Sequence, residues 1–181
     1  ASEFLYSHSG PVLDLEVDRA GGRIVSAGKD GSVKIWNKAS RTVTEPETFA
    51  YAARRTLIDP SGRFMVAIPA KGAPRLIDLA NGAGVNLDIG PAPLAEDPLF
   101  VPNGGGVLMR MGIGKVGYWK LAMRSAPQMF AAKADPHKGV NDFGIAAGRD
   151  IVVLATGAGR IEYWSLSRHV FLTTAFVAPI G

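Results

Sequence analysis

The stretch that decides the fold is residues 24–37, which read IVSAGKDGSVKIWN. Two short runs rich in β-branched and apolar residues flank the dipeptide Asp30-Gly31. Asp-Gly between two such runs is a strong local signal for a β-hairpin, because both residue types accept the backbone angles of a tight turn. The sequence therefore predicts a strand, a tight turn and a second strand that ends on Trp36.

The end of this hairpin recurs along the chain at nearly constant spacing. Its four versions are KIWN at 34–37, LIDL at 76–79, GYWKL at 117–121 and EYWSL at 162–166. Aligned on Trp36, Asp78, Trp119 and Trp164, they lie 42, 41 and 45 residues apart. A period of about 40–45 residues with a Trp at the end of the third strand is typical of β-propeller blades.

Each repeat holds four short apolar runs separated by turn signals, and no helical period extends over a useful length. The predicted architecture is all-β, with four four-stranded antiparallel blades at about 8–49, 50–90, 91–133 and 134–178. Residues 4–7 are predicted to be the outer strand of a preceding blade. Pro46 in the fourth predicted strand, 42–49, places that strand at a sheet edge, because Pro has no amide to donate.

The first repeat resembles a WD40 repeat. Residues 7–12, SHSGPV, resemble the Gly-His loop that leads into the inner strand, and residues 24–37 resemble the family's SGSxDGTVKIWD segment. The resemblance implies a WD40-type β-propeller in which a hydrogen-bonded chain within the blade consists of His8, Ser26, Asp30 and Trp36. An imidazole can bridge a hydroxyl to a carboxylate, and a buried indole N–H needs an acceptor.

The resemblance covers all 181 residues by period but is specific only over residues 8–37. The Trp and Ser positions hold Asp78 and Ile68 in the second repeat. The Ser position holds Met109 in the third repeat and Leu154 in the fourth. We therefore expect apolar packing to replace the polar chain in blades two to four.

Four blades are fewer than the closed discs of about seven or eight blades that WD40 propellers usually form. An incomplete set leaves two sheet faces open, and if each exposes ~400 Å² of apolar surface, about 10 kcal/mol of burial is lost per face. That loss rivals the whole net stability of a domain, about 5–15 kcal/mol. We therefore expect another chain, a segment of a longer parent chain or a second copy to complete the propeller.

Composition narrows the classes of partner. The net charge is +4 and the longest basic run is Arg54-Arg55, which is too short for the clustered Lys and Arg of a nucleic-acid surface. No run of about 18 apolar residues predicts a membrane span. The chain has no cysteine, which excludes disulfides and thiolate metal sites. We expect protein partners rather than nucleic acid or membrane, no cofactor or metal, and a cytoplasmic location.

The candidate binding residues lie where propellers bind partners, on loops at one rim and around the central channel. They are His8, Ser9, Arg54, Arg55, Asp97, Lys138 and Asn141. Asp14, Asp97 and Asp142 fall on the predicted inner strands, where they either form a ring of carboxylates or cap loop amides.

Chemical motifs are weak. The GxGxxG match at 112–117 is followed by Tyr118 and Trp119 of a predicted strand, whereas a dinucleotide site needs a helix there. We interpret it as a hairpin turn. No Gly-x-Ser-x-Gly elbow occurs. The predicted function is a non-catalytic protein–protein interaction scaffold or recognition module. The alternative is the regulatory or targeting propeller portion of a larger enzyme, such as a bacterial caspase-type peptidase.

Overall fold

The computed structural model describes residues 8–90, 95–112, 114–121, 126–133, 137–146 and 148–176. The strand predicted at 4–7 lies outside this part of the chain. The described residues form two compact units, divided between Asp88 and Ile89. Each unit contains two four-stranded antiparallel sheets whose strands follow one another in chain order. The prediction of an all-β chain with four four-stranded antiparallel blades is therefore confirmed.

The first unit contains sheets 1 and 2. The strands of sheet 1 are β1 (Val12–Val17), β2 (Arg23–Gly28), β3 (Ser32–Asn37) and β4 (Thr42–Thr48). Those of sheet 2 are β5 (Ala53–Ile58), β6 (Phe64–Pro69), β7 (Arg75–Asp78) and β8 (Gly84–Asn86). As predicted, Pro46 lies in an edge strand, where it falls at an irregularity of the β3–β4 ladder.

The second unit contains sheets 3 and 4. The strands of sheet 3 are β9 (Ala95–Phe100), β10 (Gly106–Met111), β11 (Lys115–Lys120) and β12 (Gln128–Ala131). Those of sheet 4 are β13 (Val140–Ala146), β14 (Ile151–Thr156), β15 (Arg160–Ser165) and β16 (Val170–Phe176). The GxGxxG match spans the turn between β10 and β11, where Gly112 and Gly114 have φ angles of 53° and 99°.

The first strand of every sheet carries a register irregularity, at the same place in sheets 1, 2 and 4 and opposite an earlier residue of the second strand in sheet 3. In β1, β5 and β13 one extra residue interrupts the pairing, namely Leu13, Arg54 and Asn141. In β9 the pair Asp97 and Pro98 lies opposite the single residue Met109, and Asp97 has a φ of 53°. A bulge leaves its extra residue outside the ladder and tolerates Pro. The bulge thus allows β9 to run from Ala95 to Phe100 although it contains Pro98.

Strand register shows which residues are equivalent between sheets. Trp36 pairs with Ile24, Trp119 with Val107 and Trp164 with Val152, in each case the second residue of the second strand. In sheet 2 the residue at this position is Ile77, which pairs with Met65.

The alignment on Asp78 was therefore wrong by one residue. Asp78 is instead equivalent to Asn37, since both side chains accept the amide of the residue two positions on, Ala80 and Ala39. The Ser26 position in sheet 2 likewise holds Ala67 rather than Ile68.

We call the sheet face that bears Trp36, Ile77, Trp119 or Trp164 the tryptophan face, and the opposite face the far face. In the first unit the far face of sheet 1 packs on the tryptophan face of sheet 2. The core residues that meet there are Val25, Ala27, Val33 and Ile35 from sheet 1 and Ile58, Met65, Ala67 and Ile77 from sheet 2. A sheet with an apolar face needs such a partner, because the exposed face would otherwise remain in water.

The second unit repeats this arrangement. The far face of sheet 3 contributes Leu108, Val116 and Tyr118, and the tryptophan face of sheet 4 contributes Val152, Leu154 and Trp164. Phe130 of β12 lies at the centre, with its ring 5.9 Å from the Trp164 ring in an edge-on arrangement and 4.1 Å from the ring of His169. One packing rule therefore accounts for both interfaces.

Replacing Phe130 by Ala is expected to lower the free energy of unfolding by about 3–5 kcal/mol, because the ring is fully buried and leaves a cavity. The measurement is urea unfolding followed by tryptophan fluorescence. The control is Leu172→Ala, whose side chain is 42% exposed and whose loss should change stability by less than about 0.5 kcal/mol. Equal effects of the two substitutions would contradict the proposed core.

Candidate interaction surfaces

A polar network holds the segment before β1 against the β2–β3 turn. His8 Nε2 lies 2.8 Å from Ser26 Oγ, and His8 Nδ1 lies 3.1 Å from Asp30 Oδ1. Because an ionised carboxylate only accepts hydrogen bonds, Nδ1 of His8 carries a proton and donates it to Asp30. The structure thus brings together three of the four residues that the WD40 resemblance placed in a chain.

Asp30 is the centre of this network. It accepts hydrogen bonds from the amides of Ser9 and Ser32 at 2.7 and 3.0 Å and from the Ser32 hydroxyl at 2.9 Å. Burial by itself would raise the pKa of Asp30, but the hydrogen bonds from Ser32, His8 and Ser9 hold it well below its usual range. Sequence reasoning missed the role of Ser32, although a hydroxyl two residues after a turn Asp is a common capping partner.

Trp36 is not joined to this network. It shares a sheet face with Ser26, yet no hydrogen bond connects its indole to Ser26 within the part of the chain that the structure describes. In sheet 4, by contrast, the Trp164 indole donates to Glu162 at 3.2 Å. Glu162 is fully buried and also accepts from the Lys133 amide at 3.0 Å. The expectation that apolar packing alone replaces the polar chain is therefore wrong for sheet 4.

Ser26, His8 and Asp30 have the connectivity of a catalytic triad, but the surroundings do not fit acyl transfer. Ser26 lies in the middle of β2 and pairs with Leu15 on one side and Lys34 on the other. Its neighbouring amides therefore belong to the sheet ladders and cannot form an oxyanion hole. The His8 side chain is 2% exposed, so its ring serves the network rather than the outer surface.

The remaining candidate binding residues are exposed, and each belongs to one unit. In the first unit Ser9, Arg54 and Arg55 are exposed, with Arg54 at the bulge of β5. In the second unit Asp97, Lys138 and Asn141 are exposed, with Asp97 and Asn141 at the bulges of β9 and β13. The side chains at the bulges are candidates for binding because these residues are not paired in the sheet ladder. The alternation of apolar and polar residues in the sequence does not predict where a bulge occurs.

The three inner-strand carboxylates are engaged within their own units. Asp14 accepts the Thr56 amide at 2.7 Å, and so links sheet 1 to sheet 2. Asp142 accepts the Phe143 amide at 2.8 Å. Asp97 binds Arg110 at 2.8 Å and, with Glu96, raises the pKa of that guanidinium. Capping and pairing therefore describe these groups within the units, and among the described residues no group of three or more His, Asp or Glu could hold a metal ion.

The tryptophan face of sheet 1 is open. Leu13, Leu15 and Val17 of β1 are 45, 59 and 49% exposed. In contrast, the equivalents of Val17 in sheets 2 and 3, Ile58 and Phe100, are 8 and 5% exposed. The row that begins at Val17 continues across the sheet through the part-exposed side chains of Ile24, Trp36 and Val43.

The far face of sheet 4 is open as well. Val153, Ile161 and Tyr163 are part-exposed, whereas their equivalents in sheet 1, Val25, Val33 and Ile35, are 0, 0 and 8% exposed. A Cβ added to Gly144 on this face would meet no atom within 4 Å. The first unit thus presents an uncovered tryptophan face, and the second an uncovered far face.

Comparison with known proteins identifies the fold. The chain superposes on the β-propeller domain of Cps50 (Swd1) from Myceliophteria thermophila with a TM-score of 0.72 and 17% sequence identity. The match covers 95% of this chain and 57% of that solved chain. This chain therefore has the fold of a WD40-type β-propeller, of which it forms an incomplete set of four blades.

Two further comparisons find no match. No protein-family model matches the sequence, and no curated protein matches it. The described residues contain no helix with the length and apolar character required to cross a membrane.

Replacing Asp30 by Ala is expected to lower the free energy of unfolding at neutral pH by about 2–3 kcal/mol, because several partly buried donors lose their acceptor. The pKa of Asp30 is lowered in the folded state, so its contribution is fully present above about pH 4 and is lost as the pH falls further. Urea unfolding of both proteins should show a stability difference that shrinks between about pH 4 and pH 2.

The control for this prediction is Ser9→Ala, which removes a 3.3 Å hydroxyl contact to Asp30 but keeps the 2.7 Å amide contact. Its effect should stay below about 0.5 kcal/mol. A stability difference between the wild type and Asp30→Ala that does not change with pH would contradict the assigned ionisation of Asp30.

Proposed function

We propose that the chain is a non-catalytic protein–protein interaction scaffold or recognition module, working within a propeller that other sheets complete. The observation that supports this is the open tryptophan face of sheet 1 at Leu13, Leu15 and Val17. An exposed contiguous apolar surface on a folded domain marks a site where another polypeptide packs.

The two interfaces within the units indicate what covers this face. In both units a tryptophan face is packed on the far face of another sheet. Since the register of sheet 1 is that of the other sheets, the occupant that fits it is the far face of a propeller blade. Complete burial of a Val or Leu contributes about 1.5–3 kcal/mol. Because the three side chains are about half exposed, covering them would gain roughly 2–4 kcal/mol.

The far face of sheet 4 has the complementary character, so a completing polypeptide would have to supply one face of each kind. A second copy meets this requirement, as would another chain or a further segment of a longer chain. Contacts between unlike faces close into a ring only if the rotation between copies allows it. The solved structure, of which this chain spans 57%, is consistent with the need for further blades.

A non-catalytic role is supported by the surroundings of the polar groups. The triad-like set around His8 lacks free amides, as described above. The depressions beside Asp18 and Asp150, of about 330 and 340 Å³, are lined mainly by turn residues and include no histidine. The proposal includes a cytoplasmic location, which rests on the absence of cysteine alone.

The alternative proposal is a targeting or regulatory portion of a larger enzyme, such as a caspase-type peptidase. The same open faces would then be covered by blades of a polypeptide that also carries the catalytic domain. Fold alone does not decide between a free-standing scaffold and such an arrangement. The mass and sequence of the completing polypeptide distinguish them.

The test is the mass of the purified chain in solution, measured by light scattering, together with the fluorescence of a dye that binds apolar surfaces. A complex of two copies would have twice the 19.1 kDa of one chain. A Leu15→Glu substitution should dissociate it, because a carboxylate is costly to bury at a sheet interface. If no copy associates, the monomer should bind the dye, and Leu15→Glu should reduce the signal.

The matched control is Ala80→Glu, which adds the same charge at an exposed turn of sheet 2. It should change neither the mass nor the dye fluorescence. A stable monomer of 19.1 kDa that binds no dye, or a complex that Leu15→Glu leaves intact, would contradict the proposal.

A further inference from the structure

We propose that the loop surface at one end of the first unit binds an acidic peptide segment of a protein partner. This loop end consists of the segment before β1, the segment before β5 with Arg54 and Arg55 of β5, and the connections β2–β3 and β6–β7. Antiparallel strands place all four at the same strand ends. Backbone hydrogen bonds tie them together, from Lys29 to Pro11, from Phe49 to Gly31 and from Ala70 to Ala52, at 2.7–2.9 Å.

The exposed charge of this loop end is mainly positive. Its basic residues are all exposed, namely Lys29, Arg54, Arg55 and Lys71. Its acidic residue, Asp30, has a side chain that is 13% exposed and is hydrogen-bonded to His8, Ser9 and Ser32. Asp14 on the adjacent strand is occupied by the Thr56 amide. Two further carboxylates lie beside this surface, since part-exposed Glu16 interacts with Arg55, and exposed Asp88 follows Leu87, whose amide donates to the Pro74 carbonyl. The exposed cations outnumber these two carboxylates, which favours an acidic ligand.

Acidic residues elsewhere in the first unit explain why its net charge is small although this surface is basic. Asp18, Asp59 and Asp78 are 7, 3 and 7% exposed, because their carboxylates bind turn amides inside the fold. The formal net charge of the unit counts each of these carboxylates as a full negative charge. A ligand outside meets mainly the basic side chains, since buried and hydrogen-bonded carboxylates contribute less to the potential at the surface.

Tyr51 supplies an aromatic anchor on this surface. Its side chain is 51% exposed, and Lys71 Nζ lies 5.2 Å from the ring centre. The loop that carries it is fixed, because a Cβ at Gly31, where φ is +86°, would lie 3.0 Å from the Tyr51 carbonyl oxygen and 2.3 Å from that of Phe49. A rigid Tyr beside cations combines apolar contact with hydrogen bonding at low entropic cost.

An acidic peptide fits this surface better than a nucleic acid. The basic residues are few and lie on separate loops, whereas nucleic-acid surfaces need a larger cluster or stripe of Lys and Arg. Lys71 also covers one face of the Tyr51 ring, which limits stacking with a base. This inference goes beyond the proposed ring completion, since the loop end is distinct from the open sheet faces.

The test uses a fluorescein-labelled peptide of alternating Glu and Gly residues, with a Gln-for-Glu peptide as reference, in fluorescence anisotropy at low salt. The double variant Lys29→Glu/Lys71→Glu should bind the acidic peptide at least about tenfold more weakly. The control Arg19→Glu/Lys38→Glu changes the same charge at exposed residues of the opposite strand ends and should weaken binding less than about twofold. Circular dichroism and solution mass verify that both variants keep the fold and assembly of the wild type.

Tyr51→Ala should weaken binding more than Tyr51→Phe, because the ring is the anchor. Equal losses in the two double variants would show that binding follows total charge alone and would overturn the proposal. So would the absence of binding, equal binding of the Gln peptide, or tighter binding of a single-stranded oligouridine than of the acidic peptide. None of these outcomes depends on whether the sheet faces are covered, which the mass measurement reports separately.

Discussion

Each sheet of this chain carries apolar side chains on both faces, and a sheet of that kind is stable only between two neighbours. The tryptophan face and the far face differ in residue type, yet they meet in the same way in both units. Phe130 against Trp164 in one unit and Val33 beside Met65 in the other fill the same kind of interface. The pairing of unlike faces is therefore the constraint that orders the two sheets within each unit, while the tryptophan face of sheet 1 and the far face of sheet 4 stay uncovered.

Polar groups at these interfaces fix the alignment of one sheet against its neighbour. Asp14 holds the Thr56 amide, Arg23 donates to the Gly62 carbonyl and Glu162 accepts the Lys133 amide. Such contacts contribute little net energy, but an unmatched register would leave buried groups without partners, which is costly. Burying carboxylates to satisfy backbone amides has a second effect, since it leaves the outer surface of the first unit with an excess of cations.

The sequence was sufficient for the architecture because period, turn chemistry and strand patterning agree. Asp30-Gly31 and the recurring Trp place the strands within a few residues. The alignment on Asp78 was wrong by one residue because the second repeat has no Trp to align on, and the turn-capping Asp78 directly follows Ile77, the residue at the Trp position. Glu162 was missed since its acceptor role depends on Lys133, 29 residues away in the chain. The bulges and open faces are properties of pairing and packing, which residue types alone do not show.

The bulge in the first strand of each sheet is a position where the side chain can vary without loss of the fold, and where it can therefore determine which partner binds. Its position is the same in sheets 1, 2 and 4, yet the residues found there are Leu13, Arg54 and Asn141, which share neither charge nor size. In sheet 3 the bulge lies opposite an earlier residue and contains Asp97. A bulged residue is free of ladder pairing, so its side chain can vary while the sheet is retained. In a fold that serves many functions, chemical identity at such positions, rather than the repeat itself, must decide what is bound. The first unit, with Arg54 beside the loop of Tyr51 and Lys71, has the chemistry to select carboxylates.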